Sequence, residues 1–67
     1  MIVEFVDTGE RMQAEFSTQH AASSYGIPVL VVSGVAMGTG EVGALRVVEA
    51  TPEERAVIAQ VGFKFSE

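Results

Sequence analysis

Hydrophobic and polar residues alternate along the first part of the chain in the way that half-buried β-strands require. Successive side chains of a strand point to opposite faces, so residues 2–6 and residues 11–16 each present one apolar face. Between them, residues 7–10 read Asp-Thr-Gly-Glu, which is typical of a tight turn in which Gly9 takes a positive φ angle. The pattern predicts a β-hairpin whose inner face carries Val3, Phe5, Met12, Ala14 and Phe16.

The stretch from residue 27 to residue 48 is the most apolar part of the chain and contains only two charged residues. Its β-branched residues and glycines favour strands and turns over a helix. We expect strands over residues 29–37 and 41–49, paired as a second hairpin around residues 38–40. Both faces of these strands carry apolar side chains. This is typical of a strand that packs on its own core with one face and on another surface, such as a second subunit, with the other.

The segment Thr-Pro-Glu-Glu at residues 51–54 predicts the start of a helix. The Thr51 hydroxyl can cap the first turn, and Pro52 fits the first helical position because it has no N–H to leave unbonded. Glu54 stands where its carboxylate can complete a capping box. Both acidic residues of the first turn also favour the positive end of the helix dipole.

The end of this helix is indicated by Gly62, which can adopt the left-handed conformation that closes many helices. Before it, three apolar residues gather on one helical face: Val57, Ile58 and Val61. After it, residues 63–65 read Phe-Lys-Phe and can form a short last strand with both rings inward and Lys64 outward.

Together these elements predict an α+β fold in a single small domain over residues 1–67. The expected architecture is an antiparallel sheet of four or five strands, built from two hairpins and a short fifth strand, with one helix near the C-terminus. Residues 17–26, STQHAASSYG, read as a loop that holds the only histidine and the only tyrosine. The loop is longer than most connections, which favours either a functional role or a simple crossing at the edge of the sheet.

Composition adds an expectation of assembly. The chain has 67 residues, no cysteine and 48% hydrophobic residues, with a mean hydropathy of +0.33. So short a chain buries only about 60% of the surface that its unfolded form exposes. With no disulfide, and with one histidine and no thiolates for structural zinc, association is the remaining source of stability. We therefore expect a homo-oligomer with a buried subunit interface.

The charge balance excludes one class of partner. The net charge is −5, and the four basic residues, Arg11, Arg46, Arg55 and Lys64, are scattered along the chain. Binding of DNA or RNA depends on clustered cations that contact phosphates, so nucleic acid is not an expected partner.

A cytoplasmic location is expected from the sequence. The opening MIVEFVDTGE lacks the positive region and the long apolar region of a signal peptide. The uncharged run over residues 27–40 is shorter than the roughly 20 residues that span a membrane as a helix.

The candidate chemistry favours a binding protein over an enzyme. His20 lies near several hydroxyl residues, but no nucleophile elbow accompanies it, so it is interpreted as a solvated or a ligand-lining side chain. The four glycines between residues 34 and 43 match no phosphate-binding fingerprint, and a strand rather than a helix follows them. The acidic residues are explained by turns and caps. We predict no catalytic residue, no cofactor and no metal.

Arg46 is the most informative charge because it stands among apolar residues on a strand that is expected to be central. A buried guanidinium must be paired. The partner could be Glu4, Glu49 or a carboxylate of a neighbouring subunit, or Arg46 could hold an anionic ligand in a pocket between subunits. The candidate ligand-binding residues are Arg46, His20, Tyr25 and Arg11.

The opening IVEFVDTGERMQAEF, with Phe5, Asp7, Gly9 and Phe16, resembles the start of small accessory proteins encoded by tailed bacteriophages. The closing RVVEATPEERAVIAQVGF resembles the strand, capped helix and terminal glycine of such proteins. The resemblance implies a place in the host bacterial cytoplasm and one of two roles. One role is in the virion or its assembly, and the other is inhibition of host defence by an oligomer, including sequestration of nucleotide signals.

Two functions are therefore expected. The first is a non-enzymatic oligomeric protein that sequesters a small anionic ligand between subunits, with Tyr25 stacking on a base and Arg46 holding phosphate. The alternative is a structural or protein-interaction module in which the same apolar surface joins copies or partners and Arg46 is simply paired.

Overall fold

The computed structural model describes residues 1–19, 26–38 and 40–66. Within these ranges the chain forms seven strands and one helix, in this order: β1 Ile2–Phe5, β2 Arg11–Ser17, β3 Val29–Val32, β4 Val35–Gly38, β5 Glu41–Val42, β6 Leu45–Glu49, α1 Pro52–Val61 and β7 Lys64–Phe65. Five strands form an antiparallel sheet in the order β4-β3-β2-β1-β6, and β5 and β7 form a separate parallel pair. The predicted α+β class, with one helix near the C-terminus, is confirmed.

The first hairpin forms as predicted. Strands β1 and β2 pair antiparallel, with Val3 opposite Met12 and Glu4 opposite Arg11. Gly9 has a φ of +73°, and its N–H donates to the Phe5 carbonyl at 2.8 Å. A side chain at this φ would be strained, which is why the tight turn has its glycine there.

The second hairpin differs from the prediction. Strand β3 pairs with β4 through a two-residue turn at Ser33 and Gly34, and β6 pairs instead with the far side of β1. Both turn residues have positive φ angles, +50° and +81°. Two-residue turns of this kind match the natural twist of paired strands. The Ser-Gly dipeptide therefore ends β3 earlier than the uninterrupted apolar pattern indicates.

Helix α1 begins and ends at the predicted residues. The Glu54 N–H donates to Thr51 Oγ1 at 3.2 Å, and the Thr51 N–H donates to Glu54 Oε1 at 2.8 Å, which completes the capping box. Gly62 follows the helix with a φ of +83°, and its N–H donates to the Ile58 carbonyl. The predicted last strand also forms, but as β7 beside β5 and parallel to it rather than in the main sheet.

The first turn of α1 is tied to the first strand. The N-terminal ammonium of Met1 lies 3.0 Å from Glu54 Oε2 and also donates to the Ala14 carbonyl at 2.9 Å. Two hydrogen bonds lower the pKa of the Glu54 carboxyl from its usual value. The bond from the Thr51 N–H has the larger effect, and the bond from the Met1 ammonium has the next largest. One carboxylate thus both caps the helix and anchors it to the sheet.

The hydrophobic core lies on one face of the five-stranded sheet. Its buried members come from the sheet, from β5 and from the segment after the helix: Val3, Ala14, Leu30, Val32, Val42, Leu45 and Phe63. Around them lie partly buried side chains that include the predicted inner face of the first hairpin and the apolar face of α1. The rings of Phe16 and Phe63 have centroids 5.0 Å apart. The predicted core of the first hairpin is confirmed.

The first two strands of the apolar run, β3 and β4, differ in exposure. All four residues of β3 are at most 3% exposed, although they alternate between the two faces of the sheet. In β4, by contrast, Val35 is 61% exposed and Met37 is 43% exposed. We expected the whole run to need partner chains for its burial. The single chain already buries β3, whereas Val35 and Met37 in β4 remain exposed, as does Ile27, which is 47% exposed.

Candidate functional site

Three charged side chains form a row across the sheet face opposite the core. Glu4 on β1 stands between Arg11 on β2 and Arg46 on β6, since it is the register partner of both. Arg11 Nε donates to Glu4 Oε1 at 3.0 Å, and Arg46 Nη2 donates to Glu4 Oε2 at 2.6 Å. Each arginine therefore has its own carboxylate oxygen. We call this row the arginine pair with its Glu4 bridge.

The electrostatics of the row favour a fixed positive patch. Hydrogen bonds from Arg11 and then from Arg46 lower the pKa of the Glu4 carboxyl from its usual value, so Glu4 is ionised at neutral pH. Two guanidinium groups and one carboxylate sum to +1, on a chain whose net charge is −5. The Glu4 side chain is 14% exposed, whereas both arginines lie in solvent.

The arginines keep hydrogen-bonding capacity for another group. A guanidinium carries five N–H donors in a planar fork, and the bonds to Glu4 use Nε of Arg11 and Nη2 of Arg46. Because both arginines bond to the same carboxylate, their positions on the face are restrained before any ligand arrives. Such an arrangement can bind an anion by charge-assisted hydrogen bonds.

The structure bears differently on the four predicted ligand-binding residues. It brings Arg11 and Arg46 together, whereas His20 and Tyr25 lie outside the described residues. Arg46 was expected to be buried on a central strand. It is instead exposed on β6, at the edge of the sheet. Its pairing with Glu4 is one of the alternatives that the sequence indicated.

Sequence reasoning did not connect Arg11 with Arg46. The signal was available in the first hairpin. Residues 4 and 11 both point away from its predicted inner face, and they lie on the two strands that the turn over residues 7–10 joins. The link to Arg46 could not be found in this way, because it depends on β6 pairing with β1 across 42 positions of sequence.

Two shallow depressions lie near the arginine pair but do not include it. One, of about 240 Å³, lies between Met1 and Ile2, Gln13 on β2, and the segment from Glu49 at the end of β6 to Glu54 in the first turn of α1. The other, of about 200 Å³, lies beside Glu15, Val31 and the Ser33–Gly34 turn. Ligand pockets usually enclose about 300–1,000 Å³. The surface of one chain presents the arginines without enclosing them.

Over residues 1–19, 26–38 and 40–66, no three or more His, Cys, Asp or Glu side chains are grouped so as to hold a metal ion. Within the same ranges, no helix combines the length and the apolar character needed to cross a membrane.

Comparison of the chain with protein-family models, with curated proteins and with solved structures finds no match. The function is therefore inferred from the geometry of the arginine pair and from the exposed strand β4.

Proposed function

We propose that this protein is a non-enzymatic, homo-oligomeric binding protein that holds a small anionic ligand between subunits. One observation carries the proposal: Arg11 and Arg46 lie side by side on an exposed sheet face, and a shared carboxylate restrains both. The anion is bound by the guanidinium N–H groups that Glu4 does not use.

Local charge favours an anion at this face despite the acidic chain. The arginine pair with its Glu4 bridge carries a net positive charge, and Lys64, a further cation, is already paired with Glu41 at 3.6 Å. A fixed positive patch raises the local concentration of anions and orients them. Arginine suits phosphate and carboxylate groups because its planar fork can donate two parallel hydrogen bonds.

The need for more than one subunit follows from the openness of the face. A strand face with two exposed arginines gives an anion contacts on one side only, and water competes from the other. A second subunit over this face would exclude that water and strengthen each charged hydrogen bond, because the local dielectric constant falls. This is how a short chain can form a site that it cannot enclose alone.

The proposal is tested by titrating the protein with inorganic phosphate, pyrophosphate, mononucleotides and cyclic dinucleotides, followed by calorimetry and by amide NMR shifts. We expect binding to weaken by roughly tenfold or more in Arg46→Gln, since one charge-assisted hydrogen bond contributes about 1.5–3 kcal/mol. The matched control is Arg55→Gln, which removes the same charge from the exposed surface of α1. It should bind as the wild type does.

The outcomes separate the possible ligands. If cyclic dinucleotides bind and phosphate does not, the ligand is a nucleotide signal, as the resemblance to phage proteins implies. If phosphate and pyrophosphate bind equally well, the site recognises the phosphoryl group alone. Equal losses in Arg46→Gln and Arg55→Gln would mean non-specific attraction, and the proposed site would be abandoned.

A second candidate function is a structural or protein-interaction module without a small-molecule ligand. The exposed apolar strand β4 favours this function. In that case Arg11 and Arg46 serve only as ion-pair partners of Glu4. Native mass spectrometry distinguishes the two candidates. A ligand-sized mass that is lost on denaturation supports sequestration, whereas a bare oligomer that ignores the anion panel supports assembly.

A further inference from the structure

Among the strands that the structure describes, β4 lies at the edge of the sheet and has a neighbour on one side only. The sheet order is β4-β3-β2-β1-β6, so β4 pairs only with β3. In an antiparallel sheet, half of the backbone N–H and C=O groups of an edge strand point away from the sheet. These groups are a template for another strand.

The devices that usually protect an edge are nearly absent from β4. Its sequence, Val-Ala-Met-Gly, has no charge and no proline, and Val35, Ala36 and Met37 are all exposed. The one irregularity is a register shift between Leu30 and Val31 in the pairing of β3 with β4. Natural proteins protect edges with lysine, proline, bulges or covering segments.

The opposite edge of the sheet is protected. Strand β6 carries Arg46 and Glu49. The carbonyl of its first residue, Leu45, accepts a hydrogen bond from the Ser66 N–H at 2.8 Å, so the segment after β7 covers part of this edge. The two edges of one sheet are thus unequal, and β4 is the edge that can accept a strand.

We infer that the strand added at β4 is the β4 strand of a second copy of this chain, paired antiparallel about a two-fold axis. Charge is the reason for this choice of partner. Each copy carries a net charge of −5, so repulsion between two copies is weakest where the surface is neutral, and residues 27–40 contain no charged side chain. A two-fold axis also brings identical patches together, which requires no second type of surface.

The geometry gives a specific register. With the axis at Ala36, Val35 of each copy lies opposite Met37 of the other, so each exposed apolar side chain gains an apolar neighbour. The two five-stranded sheets then join into one continuous sheet. A four-residue strand buries less than the roughly 800 Å² per partner of a standard interface, so the dimer is expected to dissociate in the micromolar range or above. This inference rests on the proposed function only for the existence of a homo-oligomer, because pairing at β4 places the second copy beside the sheet and not over Arg11 on β2 and Arg46 on β6.

Sedimentation velocity from micromolar to millimolar concentration tests the interface. The wild type should form dimers in a concentration-dependent way, and Val35→Lys should remain monomeric with an unchanged circular dichroism spectrum. The matched control is Val6→Lys, because Val6 is also exposed but lies beyond the end of β1. It should dimerise as the wild type does. A monomeric wild type, or equal effects of the two lysines, would overturn the inference.

A disulfide experiment tests the register. The chain has no cysteine, so Ala36→Cys introduces a single thiol at the proposed axis. Directly opposed residues of antiparallel strands have Cα atoms about 4.5–5.5 Å apart, within the span of a disulfide. We expect rapid oxidation to a covalent dimer, and slow oxidation for Ala56→Cys on the exposed side of α1. Equal oxidation rates would refute this register.

The two proposals fail independently. Loss of dimerisation in Val35→Lys with phosphate binding retained would confirm the β4 interface and would show that the arginine pair binds in a single chain. Dimerisation without binding of any anion would confirm the interface and leave only the interaction-module function.

Discussion

Strands β3 and β4 come from the same apolar run, are joined by two residues and have opposite surroundings. The four residues of β3 are buried, whereas three of the four residues of β4 are exposed. Both strands are free of charged residues, since β3 reads Val-Leu-Val-Val and β4 reads Val-Ala-Met-Gly. What differs is position: β3 lies between β2 and β4, and β4 lies at the edge.

The difference shows that apolar composition alone does not locate an interface. From the sequence, the whole run indicated a surface shared with other subunits. The fold places β3 in the interior of one chain and leaves three of the four residues of β4 exposed. The expectation of assembly therefore depends on four residues rather than on twenty-two, and it can be tested at single positions.

The largest expected effect lies in β3. Leu30 is fully buried in the core, so Leu30→Ala should lower the free energy of unfolding by about 2–5 kcal/mol through lost burial and the cavity left behind. Met37→Ala in β4 should change it by less than about 0.5 kcal/mol in the monomer, because the side chain is exposed. Urea unfolding at low protein concentration measures both. Similar losses in the two variants would contradict the contrast between the strands.

The next effect lies in the turn between the two strands. Gly34 has a φ of +81°, and a Cβ added there meets no atom within 4 Å, so only backbone strain opposes a side chain. Gly34→Ala should therefore lower the free energy of unfolding by about 1–2 kcal/mol. Thermal unfolding measures the loss. Gly43→Ala is the control, since its surroundings are equally open and its φ lies outside the left-handed region.

If Gly34→Ala and Gly43→Ala lower the free energy of unfolding equally, the Ser33–Gly34 turn does not have the positive φ angle at Gly34 that the structure shows. The separation of β3 from β4 would then need another explanation.

The smallest expected effect concerns the ion pairs of Glu4 on β1 with Arg11 on β2 and Arg46 on β6. The pKa of Glu4 is lowered in the folded protein by Arg11 and Arg46. A lowered folded pKa stabilises the protein above the unfolded value of about 4.5 and loses that contribution as the pH falls through the folded pKa. Stability should therefore decline below about pH 5, and less steeply in Glu4→Gln.

Urea unfolding across this pH range measures the slope. Glu54 adds a decline of the same sign, since its pKa is lowered too, so Glu4→Gln should reduce the slope without removing it. Met37→Ala changes no charge and should keep the wild-type slope. An unchanged slope in Glu4→Gln would mean that its bonds to the arginines do not persist in solution.

The features that local sequence predicted are those that local physics determines. The turn at Gly9, the Thr51 cap, the capping box with Glu54 and the Gly62 end of α1 each depend on a few neighbouring residues. The pairing of β6 with β1 depends on residues more than forty positions apart, and no periodicity in the apolar run distinguishes it from pairing with the preceding strand. The Ser33–Gly34 turn was the one local signal for the correct arrangement.

The candidate site was predictable to the same extent. Arg46 and its pairing with Glu4 were within reach, because a charge in an apolar strand needs a partner. The pairing of Arg11 with Glu4 could be found from the first hairpin, whereas the convergence of both arginines on one carboxylate needed the sheet order. The ligand-binding role of His20 and Tyr25 remains a prediction. It is based on their being the only histidine and the only tyrosine of the sequence and on their place in the predicted loop.

The pairing of β1 with β6 also constrains the order of folding. Strand β1 comes first in the chain among the five strands of the sheet, and β6 comes last. During synthesis on a ribosome, β1 can pair early with β2 but must wait for almost the whole chain before its other side is filled. Contacts between distant segments slow folding because a large loop must close first. Until β6 pairs with β1, both β1 and β4 are open edges of the growing sheet.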